Sequence, residues 1–219
     1  ASERAGEAEP GSGIVTSVIR DRRCGIRDRC CAIRVQIWDL RVAHPVIGAR
    51  IKQAARRGAR LIIIDPRSIE LCGWADMHLQ LKPGTNVLLF NALARVLIEA
   101  DLLDREYLEQ RTEGLAALRD FLGATDLAEA ARETGVPLDL LRAAALAIGQ
   151  AALGSNGRCL FVTGLGLSEL TQGTDSVMAL CNLAMLTGSI GKSGGGMLPL
   201  RGQNNVQGNA DMGGMPDRL

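Results

Sequence analysis

Aromatic residues are scarce in this sequence: Phe, Trp and Tyr make up 3% of its 219 residues, against 47% for all apolar residues. The core must therefore be built mainly from Ala, Leu, Val and Ile, which favours helices packed closely on a sheet. An excess of charge is also missing, since 25 basic and 24 acidic residues leave a net charge of +1. This balance gives no electrostatic reason to expect nucleic acid or an anionic membrane as a partner.

Long apolar runs are missing as well. The sequence has no stretch of about 18 apolar residues and no basic start followed by an apolar run and a cleavage site. We therefore expect no membrane insertion and a cytoplasmic location.

The six cysteines form no C-x-x-C pair and no repeated spacing, so neither a disulfide framework nor a zinc site is indicated. Cys159 and Cys181 lie in apolar periodic segments and are predicted to be small buried side chains. Cys24, Cys30 and Cys31 leave an iron–sulfur ligand set as an alternative, although no fourth cysteine is near and the spacing fits no standard ferredoxin run. No metal ligand is predicted in this chain.

An α/β pattern begins near His44. Apolar runs at 61–64, 77–81 and 159–163 predict strands, because runs of this length are typical of strands buried on both faces of a sheet. Helical periodicity between them predicts helices near 46–57, 86–97, 104–111, 113–122, 126–133, 137–148 and 174–187. Alternating strands and helices predict a doubly wound α/β domain with a mostly parallel sheet and helices on both faces.

Ligands of such domains bind beyond the carboxyl ends of the strands. Those ends are predicted to be Asp65-Pro66-Arg67, the turn Pro83-Gly84-Thr85-Asn86, and Gly164-Leu165-Gly166. An acid such as Asp65 can accept from a ribose hydroxyl or a purine amino group and Arg67 can bind a phosphate, but a helix cap with a surface ion pair explains these residues equally well. The two glycines after the third strand permit close approach to a pyrophosphate, yet the dinucleotide fingerprint is incomplete. Together, the loops predict a nucleotide at this edge.

The segment Arg201-Gly202-Gln203-Asn204-Asn205-Val206-Gln207-Gly208 combines a guanidinium and four carboxamides with glycines. This composition suits neither a core helix nor a core strand and indicates a polar loop that contacts a ligand.

From His44 through this octapeptide and Asp211-Met212-Gly213, the sequence resembles the catalytic subunit of molybdenum- or tungsten-dependent formate dehydrogenases in the molybdopterin oxidoreductase superfamily. The resemblance covers about four fifths of the chain. It implies a Rossmann-like domain holding part of a bis(molybdopterin guanine dinucleotide) cofactor. It also implies that Arg201 orients formate, and that Gly202 and Gln203 lie near the pterin. The loops at Asp65-Pro66-Arg67, at Gly84-Thr85-Asn86 and at Gly164-Leu165-Gly166 would then contact the cofactor.

By this resemblance the chain is an internal fragment. The family's metal-ligating Cys or selenocysteine with its adjacent His, and the cysteines of an iron–sulfur cluster, are expected in the parent protein, because no Cys-His pair occurs here. Formate, the remaining domains of the parent subunit and electron-transfer subunits are the implied partners. We divide the chain into an irregular segment 1–41, a cofactor-binding α/β domain 42–200, and an active-site loop with the truncated start of the next domain, 201–219.

Two departures from the family pattern stand out. Residues 19–41 carry a near-repeat, Ile19-Arg20-Asp21-Arg22 and Ile26-Arg27-Asp28-Arg29, where the family has a hydrophobic strand and a cofactor loop. A disturbed reading frame at about residues 19–40 is one hypothesis. Leu170 replaces the commoner His of relatives, so it carries no predicted role. The alternatives are another member of the superfamily that acts on a small oxyanion, or a non-catalytic nucleotide-binding module.

Overall fold

A computed structural model describes residues 31–35, 44–154 and 157–214 of the chain. Within these ranges five strands form one sheet: β1 (Cys31–Val35), β2 (Arg60–Ile64), β3 (Met77–Leu79), β4 (Cys159–Thr163) and β5 (Gly196–Pro199). Their order is β3-β2-β1-β4-β5, and every neighbouring pair is parallel. The predicted doubly wound α/β fold is thereby confirmed.

Nine α-helices connect and flank the described strands. They are α1 (Pro45–Arg56), α2 (Asn86–Glu99), α3 (Arg105–Arg111), α4 (Leu115–Gly123), α5 (Leu127–Thr134), α6 (Leu138–Leu153), α7 (Leu165–Ser168), α8 (Gly173–Leu186) and α9 (Val206–Asp211). A 3-10 helix, Glu70–Trp74, follows β2. Among the described residues no single helix is long and apolar enough to cross a bilayer. Taken together, α5 and α6 have the length and composition of a membrane span, but the pair is bent by 106°.

The sheet separates two hydrophobic cores because alternate residues of a strand point to opposite faces. On one face, Ile62, Ile64 and Phe161 pack in the larger core with α2, α6 and α8. On the other, Leu61 and Ile63 join a smaller core with α1 and the 3-10 helix. Helices therefore cover both faces, as the continuous apolar runs in β2 and β4 predicted.

Small side chains allow the close helix packing that the scarcity of aromatic residues suggested. Gly149 of α6 lies against Leu97 and Leu102, where an added Cβ would come within 2.8 Å of both side chains. Cys159 is buried, as predicted, but Cys181 is only half-buried. The Cys181 Sγ lies 3.4 Å from Met197 Sδ, and burial raises the pKa of its thiol.

Two strands were not predicted. The segment 1–41 was assigned as irregular, yet Cys31–Val35 forms the central strand β1, while the rest of that segment lies outside the described residues. β5 contains Gly196 and Pro199, which normally argue against a strand. Pro199 is tolerated because β5 is an edge strand and one side of its backbone has no neighbour.

The N-cap residues of α8 and α2 make no side-chain hydrogen bond to their helices. Thr174 lies inside the first turn, and Gln172 occupies the N-cap position without a side-chain capping bond. At α2, Thr85 holds the N-cap position, but its hydroxyl donates to the carbonyl of Lys82 at 2.7 Å and does not cap the helix.

Asp104 joins three parts of the helical layer. Its carboxylate accepts from the backbone N–H of Tyr107 at 3.0 Å, which caps α3, and from Lys192 Nζ at 2.7 Å. Its own N–H donates to the carbonyl of Leu186 at the end of α8. Burial raises the pKa of this carboxyl, but the bonds from Lys192 and Tyr107 outweigh burial and leave the pKa below its usual value.

Asp104→Ala is expected to lower the free energy of unfolding by about 1–2 kcal/mol at neutral pH, because it removes the cap of α3 and leaves Lys192 unpaired. Since the folded-state pKa is depressed, this contribution is present above about pH 4 and disappears as the pH falls through the folded-state value. Urea unfolding at pH 7 and at pH 3 measures it. Asp120→Ala, an exposed position on α4, is the control. If the two variants differed in unfolding free energy by the same amount at both pH values, the stabilising role of the ionised Asp104 carboxylate would be contradicted.

Candidate functional site

The carboxyl ends of all five parallel strands meet at one edge of the sheet, called here the carboxyl edge. Asp65 follows β2, Gly164 follows β4, and Arg201 stands two residues after β5. β2 and β3 lie on one side of β1, whereas β4 and β5 lie on the other, so the chain reverses its direction of winding between β1 and β4. Open α/β sheets bind ligands at such a switch point. The structure thus brings the predicted loops to the expected edge.

The loop after β2 is organised by Asp65. This residue is 2% exposed, and its Oδ1 accepts from the backbone N–H of Arg67 at 2.9 Å and from Arg67 Nε at 3.4 Å. The carboxylate therefore stabilises its own turn, as Asp side chains commonly do. The Arg67 side chain stays 61% exposed, and Pro66 is half-buried between the two. Contacts of this loop with a nucleotide stay a prediction.

Two side chains hold the same loop from the neighbouring strand: His78, which lies in β3, and Gln80, the first residue after β3. His78 Nε2 lies 2.9 Å from the carbonyl oxygen of Asp65, and Gln80 Nε2 donates to the carbonyl of Pro66 at 3.0 Å. A carbonyl only accepts, so Nε2 of His78 carries the proton in this contact. His78 thus helps to hold this loop in place. The role of Gln80 was missed, although its spacing of two residues from His78 puts both side chains on one side of the strand.

The turn before α2 has an unusual polar residue. Gly84 has φ +86°, a left-handed conformation that favours glycine, and the chain then enters α2 at Asn86. Asn86 is fully buried, and neither its Nδ2 nor its Oδ1 has a hydrogen-bond partner among the described residues. Leaving a buried amide without partners costs about 1–3 kcal/mol per group. This cost marks Asn86 as a side chain that the domain itself does not require for stability.

The loop after β4 approaches this turn. Gly164 is buried at the N-cap of the short helix α7, which contains Leu165 and Gly166. Gly173, the first residue of α8, has no room for a side chain, because an added Cβ would overlap the carbonyl oxygen of Ser168. Just before it, Gln172 Nε2 donates to the carbonyl oxygen of Gly84. No sequence signal pointed to Gln172, since 88 residues separate it from its partner.

The octapeptide lies at the same edge, exposed to solvent. An added Cβ on Gly202 would lie 3.1 Å from Leu165 Cδ1, so this loop passes over the start of α7. Its second half forms α9, which the sequence did not predict, after Asn205 with φ +50°. No residue of α9 is buried.

The polar side chains of the octapeptide region divide into two groups. Gln207 donates to Asp211 at 2.8 Å and Asn209 to the carbonyl of Gly214 at 3.3 Å, so these amides stabilise the local fold. Arg201 and Gln203 are exposed and make no hydrogen bond to any part of the chain that the structure describes. They are therefore available to a ligand. With Arg67, Arg201 places two cations at the carboxyl edge, which suits a ligand with phosphate or carboxylate groups.

Residues 38–217 match the model of a protein family described as "Molybdopterin oxidoreductase". The chain belongs to the molybdopterin oxidoreductase family. Membership implies a molybdopterin cofactor with molybdenum or tungsten. In the described residues of this family member, no group of three His, Cys, Asp or Glu side chains is placed to hold a metal ion.

Among curated relatives of this molybdopterin oxidoreductase chain, the F420-dependent formate dehydrogenase subunit alpha of Methanocaldococcus jannaschii is 44% identical over 174 residues. That match covers 80% of this chain and 25% of the relative. The assimilatory nitrate reductase catalytic subunit of Bacillus subtilis is 33% identical over 175 residues, which cover 80% of this chain and 24% of the relative. The chain thus spans about a quarter of the length of these relatives.

A solved structure supports the fold of the molybdopterin oxidoreductase chain. The acetylene hydratase of Pelobacter acetylenicus superposes with a TM-score of 0.67 at 24% identity, over 77% of this chain and 23% of the hydratase. Since one fold carries many reactions, this likeness bears on architecture alone.

Proposed function

We propose that this chain forms part of the catalytic subunit of a cytoplasmic formate dehydrogenase, which oxidises formate to carbon dioxide. The 44% identity to a formate dehydrogenase alpha subunit supports this proposal. So does the exposed guanidinium of Arg201 at the carboxyl edge, which pairs with no side chain of the described residues and is the single structural observation that carries the proposal. Electrons would leave through the pterin cofactor to an external acceptor. The remaining domains of the parent subunit and electron-transfer subunits are the proposed partners.

We further propose bis(molybdopterin guanine dinucleotide), with molybdenum or tungsten, as the cofactor. The carboxyl edge fits such a group in one specific respect: buried Asn86 offers a donor and an acceptor that no other residue in the described part of the chain uses. A guanosine end could use both. Gly84, Thr85 and Asn86 would form one contact region with the loop of Asp65, Pro66 and Arg67. Gly164, Leu165 and Gly166 would line the switch point, and Gly202 and Gln203 would approach the pterin.

The bound cofactor would supply the two-electron acceptor for formate oxidation. The contribution of this chain is to bind and orient. A planar guanidinium at Arg201 matches a carboxylate with two parallel hydrogen bonds, neutralises its charge and fixes the direction of its C–H bond. Because no Cys-His pair occurs in the sequence, we propose that the metal ligand of the parent comes from residues outside this chain.

Metal and pterin analysis of the natural protein, combined with an assay of formate oxidation, tests the proposal. We expect a polypeptide several times longer than this chain, with molybdenum or tungsten and a guanine-containing pterin, that reduces an artificial acceptor in the presence of formate. A product near 23 kDa without metal would instead identify a non-catalytic fragment.

The relationship to a nitrate reductase favours one alternative, namely a molybdopterin oxidoreductase that acts on another small oxyanion. A guanidinium at Arg201 would bind nitrate as well as formate, since both are planar anions. Turnover of nitrate with a reduced dye, and none of formate, would support this alternative.

A further inference from the structure

Two loops at the carboxyl edge are joined by a single side chain. The turn of Gly84 leads from β3 into α2, and the loop that begins at Gly164 leads from β4 into α8. Gln172 stands at the end of the second loop and donates from Nε2 to the carbonyl oxygen of Gly84. Among the described residues, this is the one hydrogen bond between the two loops.

Both ends of this bond are held firmly. Gly173, next to Gln172, packs so tightly on Ser168 that no side chain fits there, which fixes where the loop ends. The backbone carbonyl of Gln172 also accepts from the N–H and the hydroxyl of Ser176 in the first turn of α8. On the other side, the left-handed conformation of Gly84 directs its carbonyl, and Thr85 closes the turn on Lys82. The bond therefore connects two rigid parts.

The connected turn leads into Asn86, whose buried amide has no partner within the described ranges. Its side chain lies out of contact with solvent, so a ligand that reaches it must pass between the turn and its surroundings. A residue that ties the turn to the neighbouring loop thus acts on the ligand through position, without touching it.

We propose that Gln172 is a positioning residue that ties the β3–α2 turn to the β4–α8 loop and so holds the guanosine end of the pterin cofactor between them. This inference rests on the proposed function. The bond needs a donor nitrogen that follows three side-chain carbons. Gln provides this length, whereas Asn is one carbon shorter.

The rate of cofactor release from the complete parent subunit tests the role. Gln172→Leu removes the donor, and Gln172→Glu turns an oxygen toward the Gly84 carbonyl. Both variants are expected to release the pterin about three to ten times faster than the wild type, the range that corresponds to one neutral hydrogen bond. Released pterin is measured by its fluorescence after oxidation. Gln172→Lys keeps a donor of similar reach and should restore slow release.

Two further measurements separate positioning from general stability. Gln53→Glu on α1 is the matched charge control, because Gln53 accepts from Arg50 and a carboxylate also accepts. It should leave release unchanged. In the cofactor-free protein, hydrogen exchange of the Gly84–Asn86 amides should accelerate in Gln172→Leu, while amides in α6 keep the wild-type rate.

The outcomes are distinct. A wild-type subunit that contains pterin, and a Gln172→Leu variant that releases it at the wild-type rate, would overturn the role of Gln172 and leave the proposed function standing. Equal release from the Lys and Leu variants would do the same. A wild-type subunit without any pterin would overturn the proposed function.

Discussion

Arg201→Lys in the complete parent subunit is expected to lower kcat/KM for formate by about one hundred- to one thousandfold. Lysine keeps the positive charge but lacks the planar pair of donors that fixes a carboxylate in one orientation. Metal and pterin content should stay at the wild-type level. Steady-state assays with an artificial acceptor, normalised to bound metal, measure the effect.

Arg119→Lys is the matched control for this prediction, since Arg119 is exposed on α4, away from the carboxyl edge. It should retain wild-type turnover and stability. Near-normal formate oxidation by Arg201→Lys would remove Arg201 from substrate orientation. A parallel loss of pterin and activity would instead make Arg201 a cofactor ligand.

Asn86→Leu is expected to have opposite effects on stability and on cofactor binding. Leu has the branched side-chain shape of Asn but larger methyl groups in place of its polar atoms. Removal of the unpaired amide should therefore raise the unfolding free energy of the cofactor-free protein by up to about 1–3 kcal/mol, less the cost of fitting the larger methyl groups. The pterin content should fall at least about tenfold, because a lost pair of hydrogen bonds leaves polar groups of the ligand unsatisfied. Chemical unfolding of the cofactor-free form and pterin analysis of the purified subunit measure the two effects.

Asn91→Leu provides the comparison on the same helix. Asn91 is only half-buried, and the buried amide atoms that lack a partner belong to Asn86, not to Asn91. It should change stability and pterin content less than Asn86→Leu does. If Asn86→Leu destabilised the cofactor-free protein, the result would contradict the inference that the buried amide of Asn86 lowers the free energy of unfolding. If it left pterin content unchanged, Asn86 would not contact the cofactor.

The layers of the fold could be predicted from the sequence because burial imposes a period on it. The runs at Leu61–Ile64 and Cys159–Thr163 are apolar on both faces and correspond to strands covered on both sides. The strands β1 and β5 are not continuous apolar runs and so could not be predicted in this way. β1 carries Arg34 between apolar residues, and β5 lies at an edge where glycine and proline cost little.

That the loops after β2, β3 and β4 share one edge could also be predicted, since parallel strands direct their carboxyl ends to one edge. The contacts that organise it could not. The bonds of Gln172 to Gly84 and of Gln80 to Pro66 depend on how the loops approach each other in space, and a local sequence pattern carries no such information. The same limit applies to the octapeptide, whose glycine and amide content indicated a loop although its second half forms α9.

The sparse burial of α9 has a consequence for the mobility of the segment that follows β5. A helix of six residues is marginal in isolation, and none of the residues of this one is fully buried, since Val206 and Ala210 are only half-buried, so its opening costs little free energy. The segment that carries Arg201 can therefore swing aside while the sheet and its two cores stay folded. If the proposed cofactor binds at the carboxyl edge, its entry therefore requires no unfolding of the domain.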